Sequence, residues 1–179
     1  MLATSQFCQI AWVVDDLDAA VRYWRETTGI GPFFVGAHIG GMITDTVYRG
    51  RPAEIDISAA IAYAGSVQIE LIQQHDDTPS PYRDVYAAGE GGIHHMQAFV
   101  EDVDAQCRIY EKHGFEIVLT GAVGGLTPVA YVDTRPAIGC MTELMNRQGP
   151  AVPMFDALVA VTGDWDGTDP VRDMATLMS

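Results

Sequence analysis

The sequence is short of positive charge. Ten lysines and arginines stand against 24 aspartates and glutamates, giving a formal net charge of −14. No basic stripe is present to neutralise phosphates, which argues against a nucleic-acid partner, and an anionic membrane surface would repel the chain. A small anionic substrate stays open, because a local field can oppose the net charge. Cysteine is scarce too. Cys8, Cys107 and Cys140 are odd in number and lack CxxC spacing, which argues against a disulfide framework or a structural zinc knuckle and points to a reducing cytoplasm. Long apolar runs are missing: no stretch approaches the ~18 residues of a membrane span. The opening "MLATSQFCQIAWVVDD" has neither a basic start nor a long apolar segment, so no secretory signal is read. What is left, 48% hydrophobic and 19% charged over 179 residues, is the make-up of one globular domain or of two small modules sharing a core.

Punctuation and periodicity divide the chain. Residues 7–14, "FCQIAWVV", read as a strand. In "DDLDAAVRYWRETTG", Asp15 or Asp16 can cap a helix whose Leu17, Ala20, Val21 and Trp24 recur at helical spacing, and Gly29 ends it. Strands are expected at 32–39, 54–64 and 67–73, with 40–52 a glycine- and proline-bearing loop. Residues 75–92 read as a polar linker. The order then returns: a strand at 93–100, a helix through "EDVDAQCRIYEKHG" ended by Gly114, and strands at 115–123, 129–134 and 139–146. Beyond 147 lies an extension with a short amphipathic helix in "MFDALVAVTGDW", a turn-rich "GDWDGTDP" and an end expected to fray.

The return is a repeat in residues as well as in elements. Moving "CQIAWVVDDLDAA" forward lays it on "HHMQAFVEDVDAQ": Asp16 falls on Asp102, Asp18 on Asp104, Ala19 on Ala105, Arg22 on Arg108 and Gln9 on His95. The closing strands match as well, "VQIELIQ" over "CMTELMN", with Glu70 on Glu143 and Leu71 on Leu144. Two matched stretches in order indicate a duplicated unit. The expected fold is α+β: two βαβββ modules, 1–74 and 93–147, whose mixed sheets curl around one cleft.

Alternate residues of a strand share a face. Ile69 and Leu71 suit the helix-covered face, which leaves Glu70, and by the repeat Glu143, on the open one. His95, Gln97 and Phe99 share a face, while strict alternation sends His94 to the back of the sheet. Charges in the middle of apolar strands are costly to bury alone. Two glutamates, a histidine and a glutamine converging on one face therefore suggest a cation at their centre: the carboxylates balance a divalent charge, and the Gln9 oxygen and His95 nitrogen complete four donors.

These motifs resemble the vicinal oxygen chelate superfamily, which includes glyoxalases, bleomycin-resistance proteins and dioxygenases. "GGIHHMQAFVEDVD" and "VQIELIQ" look most like methylmalonyl-CoA epimerase and its relatives, over roughly residues 1–147. The resemblance implies paired cups holding a divalent metal ion (Zn, Co, Ni, Mn or Fe) through Gln9, Glu70, His95 and Glu143. It implies a small-molecule substrate and a homodimer. Epimerases of this type carry His where Gln9 stands, whereas some glyoxalase I enzymes carry Gln there.

The activity so implied is that of a metal-dependent isomerase, epimerase or lyase that moves a proton beside a metal-bound carbonyl, on an acyl-CoA or 2-oxo compound, with Glu143 as the base and Glu70 second. Two alternatives stay open: a non-catalytic ligand-binding or resistance protein of the same fold, and, ranked lower, an extradiol dioxygenase, whose two-His-one-carboxylate iron site matches less well. His38, His75 and His113 read as loop or turn residues without a partner pattern. Tyr82 and Arg83 read first as part of a solvated linker and second as contacts to a substrate's carboxylate or phosphate, and "GAVGG" lacks the strand-to-helix setting of a phosphate loop.

Overall fold

A computed structural model describes residues 5–177. The chain runs β1 (Gln6–Val13), α1 (Leu17–Thr28), β2 (Phe33–Gly36), β3 (Ile43–Tyr48), β4 (Arg51–Pro52), β5 (Ile57–Ala64) and β6 (Val67–Gln74). It continues through β7 (Gly92–Val100), α2 (Val103–Lys112), β8 (Ile117–Val123), β9 (Thr127–Val132), α3 (Arg135–Ile138), β10 (Met141–Asn146), α4 (Val152–Gly163) and β11 (Val171–Asp173). All strands join one curled, unclosed mixed sheet in the order β11-β2-β5-β6-β1-β7-β10-β9-β8-β3-β4. Its central eight strands read the same from either end. β1 pairs parallel with β6 and β7 parallel with β10, and the two halves meet where β1 and β7 pair antiparallel. The strand–helix–strand–strand–strand order thus occurs twice.

The repeated helix starts do the same work in both halves. Asp16 and Asp102 each accept a hydrogen bond from the backbone N–H three residues on, of Ala19 and Ala105, at 2.8 Å. Such a cap contributes about 1 kcal/mol. Leu17 and Val21 of α1 bury against Ala60, Ala62, Ile69 and Leu71. Val103 and Cys107 of α2 bury against Ala98, Ala130, Val132 and Leu144. Both helices therefore cover the convex face, and the alternation that puts Ile69 and Leu71 under a helix turns Glu70 to the concave side.

The concave face is where the structure departs from the sequence reading. Residues 40–52 are not simply a loop: β3 lies along β8, with Ile43 opposite Val123 and Tyr48 opposite Leu119. The chain thus leaves β2 near one edge of the sheet and reaches the other, and Ile39, Tyr48 and Ile55 pack on the concave core beneath this crossing. A six-residue strand framed by glycines and proline carries little local signal, and its partner is far away in sequence. The 75–92 segment is not a solvated linker either. Tyr82 is buried in the same core, and Arg83 donates to the backbone oxygens of Gln74 and Asp76. Nor does the tail fray up to residue 177, because β11 extends the sheet beside β2.

The α4 helix also belongs to the concave side. Phe155 packs on Val129 and Met145 of the second half, while Leu158 packs on Phe34, Ile61 and Tyr63 of the first. One helix thus bridges both halves across the open face. Leu158 is fully buried, so Leu158→Ala should lower stability by about 2–5 kcal/mol, the range for a truncated core leucine. Urea unfolding would show this as a shifted midpoint with an unchanged slope; an unshifted midpoint would mean that α4 is a dispensable appendage.

Candidate metal centre

Between the β3 crossing and α4, four strands bring polar side chains together at the centre of the sheet. Gln9 comes from β1, Glu70 from β6, His95 from β7 and Glu143 from β10. His95 Nε2 lies 3.0 Å from Glu143 Oε2, 3.5 Å from Glu70 Oε2 and 3.3 Å from Gln9 Oε1. One donor atom each from Glu70, His95 and Glu143 falls within 4.8 Å of the others. All four residues singled out in the sequence are therefore neighbours. His95 is fully buried, and Glu143 keeps 7% of its side chain exposed against 19% for Glu70. The cluster is reached from the Glu70 side.

Neighbouring amides and rings fix which atoms face the centre. Gln68 donates to the Tyr63 hydroxyl at 3.1 Å and accepts from Gln9 Nε2 at 2.5 Å, which turns the Gln9 oxygen toward His95. Gln97 donates to the Met145 sulfur at 3.2 Å. Tyr131 stands edge-on to His95, and its hydroxyl is 3.4 Å from that of Tyr82. The two glutamines share strand faces with Glu70 and His95, a signal readable from alternation. Tyr82 gave none.

His94 corrects the expected register. Ala11 pairs with His95 but Trp12 pairs with Ile93, so His94 is the extra residue of a bulge. A bulge lets two successive side chains turn to one side, against strict alternation. His94 is accordingly not behind the sheet. It is fully buried and packs on Tyr82 and Tyr131, the same ring that meets His95. Its Nε2 is 3.0 Å from the Pro81 carbonyl, an acceptor only, so that nitrogen carries the proton and donates. His94 Nδ1, 2.9 Å from His95 Nδ1, is then left to accept. His95 therefore holds a proton on Nδ1, and its Nε2 is directed at the carboxylates. A histidine that ligates a metal is oriented in this way by an acceptor on its other nitrogen.

The electrostatics agree with that assignment. Burial pushes His94 down to about 3, and the neighbouring His95 charge adds to the shift. Burial also works against charging His95, but hydrogen bonds to Glu143 and Glu70 outweigh it and raise the group to about 9. Burial raises Glu70 above the usual carboxylate range, only partly offset by His95. Two carboxylates converge on one imidazole in a largely desolvated place. Two carboxylate oxygens, one imidazole nitrogen and one carboxamide oxygen form a donor set that suits a divalent transition metal and cancels its charge. The group fits these residues. His94 also gives a pH dependence. Between about 6.5 and 3 the unfolded chain binds a proton at this position that the folded chain refuses, so its contribution is full above 6.5 and is lost as pH falls through that window. His94→Gln should flatten the acid limb of a urea-midpoint profile by about 1.4 kcal/mol per pH unit; profiles of equal slope would mean that His94 is charged in the folded protein.

The family model of the Glyoxalase/Bleomycin resistance protein/Dioxygenase superfamily matches residues 8–131. No curated protein matches the sequence. Among solved structures, the chain is similar to methylmalonyl-CoA epimerase from Mycobacterium tuberculosis, at 20% identity and a TM-score of 0.54, over 82% of this chain and 92% of that one. It is similar to a hypothetical protein from Bacillus halodurans C-125, at 14% identity and a TM-score of 0.56, over 82% and 96% of the two chains. A variant of Streptomyces coelicolor methylmalonyl-CoA epimerase in complex with 2-nitronate-propionyl-CoA matches at 18% identity and a TM-score of 0.51, over 80% and 98%. Identities this low express likeness of fold. With the family model covering well over half of its residues, the chain belongs to the glyoxalase/bleomycin resistance protein/dioxygenase superfamily.

Proposed function

We propose that the protein is a metal-dependent isomerase, epimerase or lyase that transfers a proton at the carbon beside a carbonyl, with Gln9, Glu70, His95 and Glu143 holding the ion. The observation that carries this reading is the convergence of two carboxylates on one buried imidazole nitrogen whose tautomer a second histidine fixes. A divalent ion bound there supplies a Lewis acid that polarises the substrate carbonyl and makes the neighbouring C–H acidic. The chain's own groups then position the substrate and handle the proton. The Tyr82 and Tyr131 hydroxyls, kept protonated by burial, are neutral donors beside the cluster. A carboxylate removes the proton and returns it, to the same carbon or to a neighbour. The fold likeness to methylmalonyl-CoA epimerases makes an acyl-CoA thioester or a 2-oxo compound the substrate class to try first.

Three features support Glu70 over Glu143 as the base, the reverse of the order expected from sequence. Glu70 is the more exposed, its contact with His95 is the longer, and burial raises its pKa toward the working range of a base. Gln keeps an oxygen donor and removes basicity. Glu70→Gln should retain metal while losing solvent exchange of the substrate's α-hydrogen by ~10²–10⁴-fold, followed by mass spectrometry in deuterated buffer. If instead Glu143→Gln abolishes exchange and Glu70→Gln does not, the roles are swapped. A protein that takes up no metal at all would favour a non-catalytic ligand-binding role for the same cup.

The raised His95 pKa makes a separate demand on metal binding. Near neutral pH the metal-free imidazole is charged and must lose a proton to ligate. Calorimetric zinc titrations near neutral pH, in buffers of different ionisation enthalpy, should report about one proton released per ion from this site. Apparent affinity should climb with pH up to about 9 and level off above it, where His95 becomes neutral without metal. Zinc uptake without proton release would remove His95 from the ligand set.

A further inference from the structure

A second group of metal-ligating side chains lies outside the central cluster. Asp56 immediately precedes β5, His75 immediately follows β6, and His38 follows β2. Each offers one ligand atom, and these atoms lie within 4.8 Å of one another. From Glu70 to His75 is five residues along β6, roughly 16 Å at the strand rise, so this group shares no ligand with the central one.

The local backbone holds the three residues in place. His38 adopts a left-handed conformation, at a φ of 52°. Its N–H donates to Ser58 Oγ at 3.0 Å, and its Nδ1 lies 2.9 Å from Asp56 Oδ1. The His75 N–H donates to the Asp56 carbonyl at 3.0 Å, and His75 Nε2 is 2.6 Å from the same Ser58 hydroxyl. The two imidazole rings lie with centroids 4.4 Å apart, their planes tilted by 30°. Two imidazoles and one carboxylate brought this close offer three donors to a shared cation.

Their surroundings carry the same preference. His38 and Asp56 line a cavity of about 960 Å³ beneath the β3 crossing. Its wall bears Asp45, Glu54, Asp56 and Asp76 and, among the described residues, no lysine or arginine. A cavity so lined repels anions and concentrates cations.

We propose that His38, Asp56 and His75 form a second divalent-metal site at this cavity, of the two-His-one-carboxylate kind and selective for zinc, cobalt or nickel over calcium and magnesium. Three protein donors leave coordination positions for water or for an oxygen of a cavity ligand. Ser58, which touches both histidines, orients them.

Equilibrium dialysis against zinc, with metal counted by mass spectrometry, tests the site. Wild-type protein should hold two ions per chain. His38→Ala and His75→Ala should each hold one, His95→Ala one, the His38→Ala/His95→Ala double variant none, and His113→Ala, an exposed control at the end of α2, two. Ser58→Ala should weaken the second ion by about 10–100-fold, the usual cost of losing a group that orients a ligand. The proposal is overturned if His38→Ala and His75→Ala bind as much zinc as the wild type, or if the wild type binds a single ion that only His95→Ala removes. A single ion lost in His38→Ala and kept in His95→Ala would uphold this site and refute the central one.

Discussion

Two carboxylates and an imidazole buried in the middle of a β-sheet are the constraint around which this molecule is organised. Breaking a buried, hydrogen-bonded charge pair by removing one partner costs about 3–5 kcal/mol, a large share of a small protein's stability. His95 Nε2 answers both Glu70 and Glu143, and His94 and Gln9 complete its surroundings. With the Gln9 oxygen, the two carboxylates and the imidazole form the donor set that the proposed divalent ion would occupy.

Apolar side chains from several segments build the core of the concave face around that cluster. Tyr82 arrives from the segment between the halves, Ile39, Tyr48 and Ile55 from the β3 crossing, and Phe155 and Leu158 from α4. The convex face needs no such help, because α1 and α2 cover it with the aliphatic side of the same strands. The duplicated unit thus supplies a sheet with a polar seam, and the unduplicated segments supply its roof. Access is left on the Glu70 side, the one carboxylate of the cluster that keeps appreciable exposure.

The paired histidines show how far strand periodicity carries. Alternation placed His95 correctly and His94 wrongly, because one inserted residue resets the pattern. The error matters chemically. A His94 behind the sheet would be a packing residue, whereas in the cup it accepts the Nδ1 proton of His95 and fixes its tautomer. The same bulge lets His94 join His95 against the Tyr131 ring.

The sequence by itself determined the doubled strand–helix–strand–strand–strand order, an acidic cap at Asp15 or Asp16, and the helix-covered faces of β6 and β10. Each of these rests on local chemistry or on a fixed period: a side-chain oxygen three residues from an N–H, or alternation of two. It also singled out Gln9, Glu70, His95 and Glu143 as one group, since a duplicated strand puts equivalent residues at equivalent places. Only the tertiary structure decided the rest. The pairing of β3 with β8, the burial of Tyr82, the bridging by α4 and the meeting of His38 with His75 join segments whose sequences do not refer to one another. The His94 bulge belongs with these, because it comes from how β7 pairs with β1. In each case the stabilising contact is supplied by a partner distant in the chain, so no periodicity within the segment can announce it.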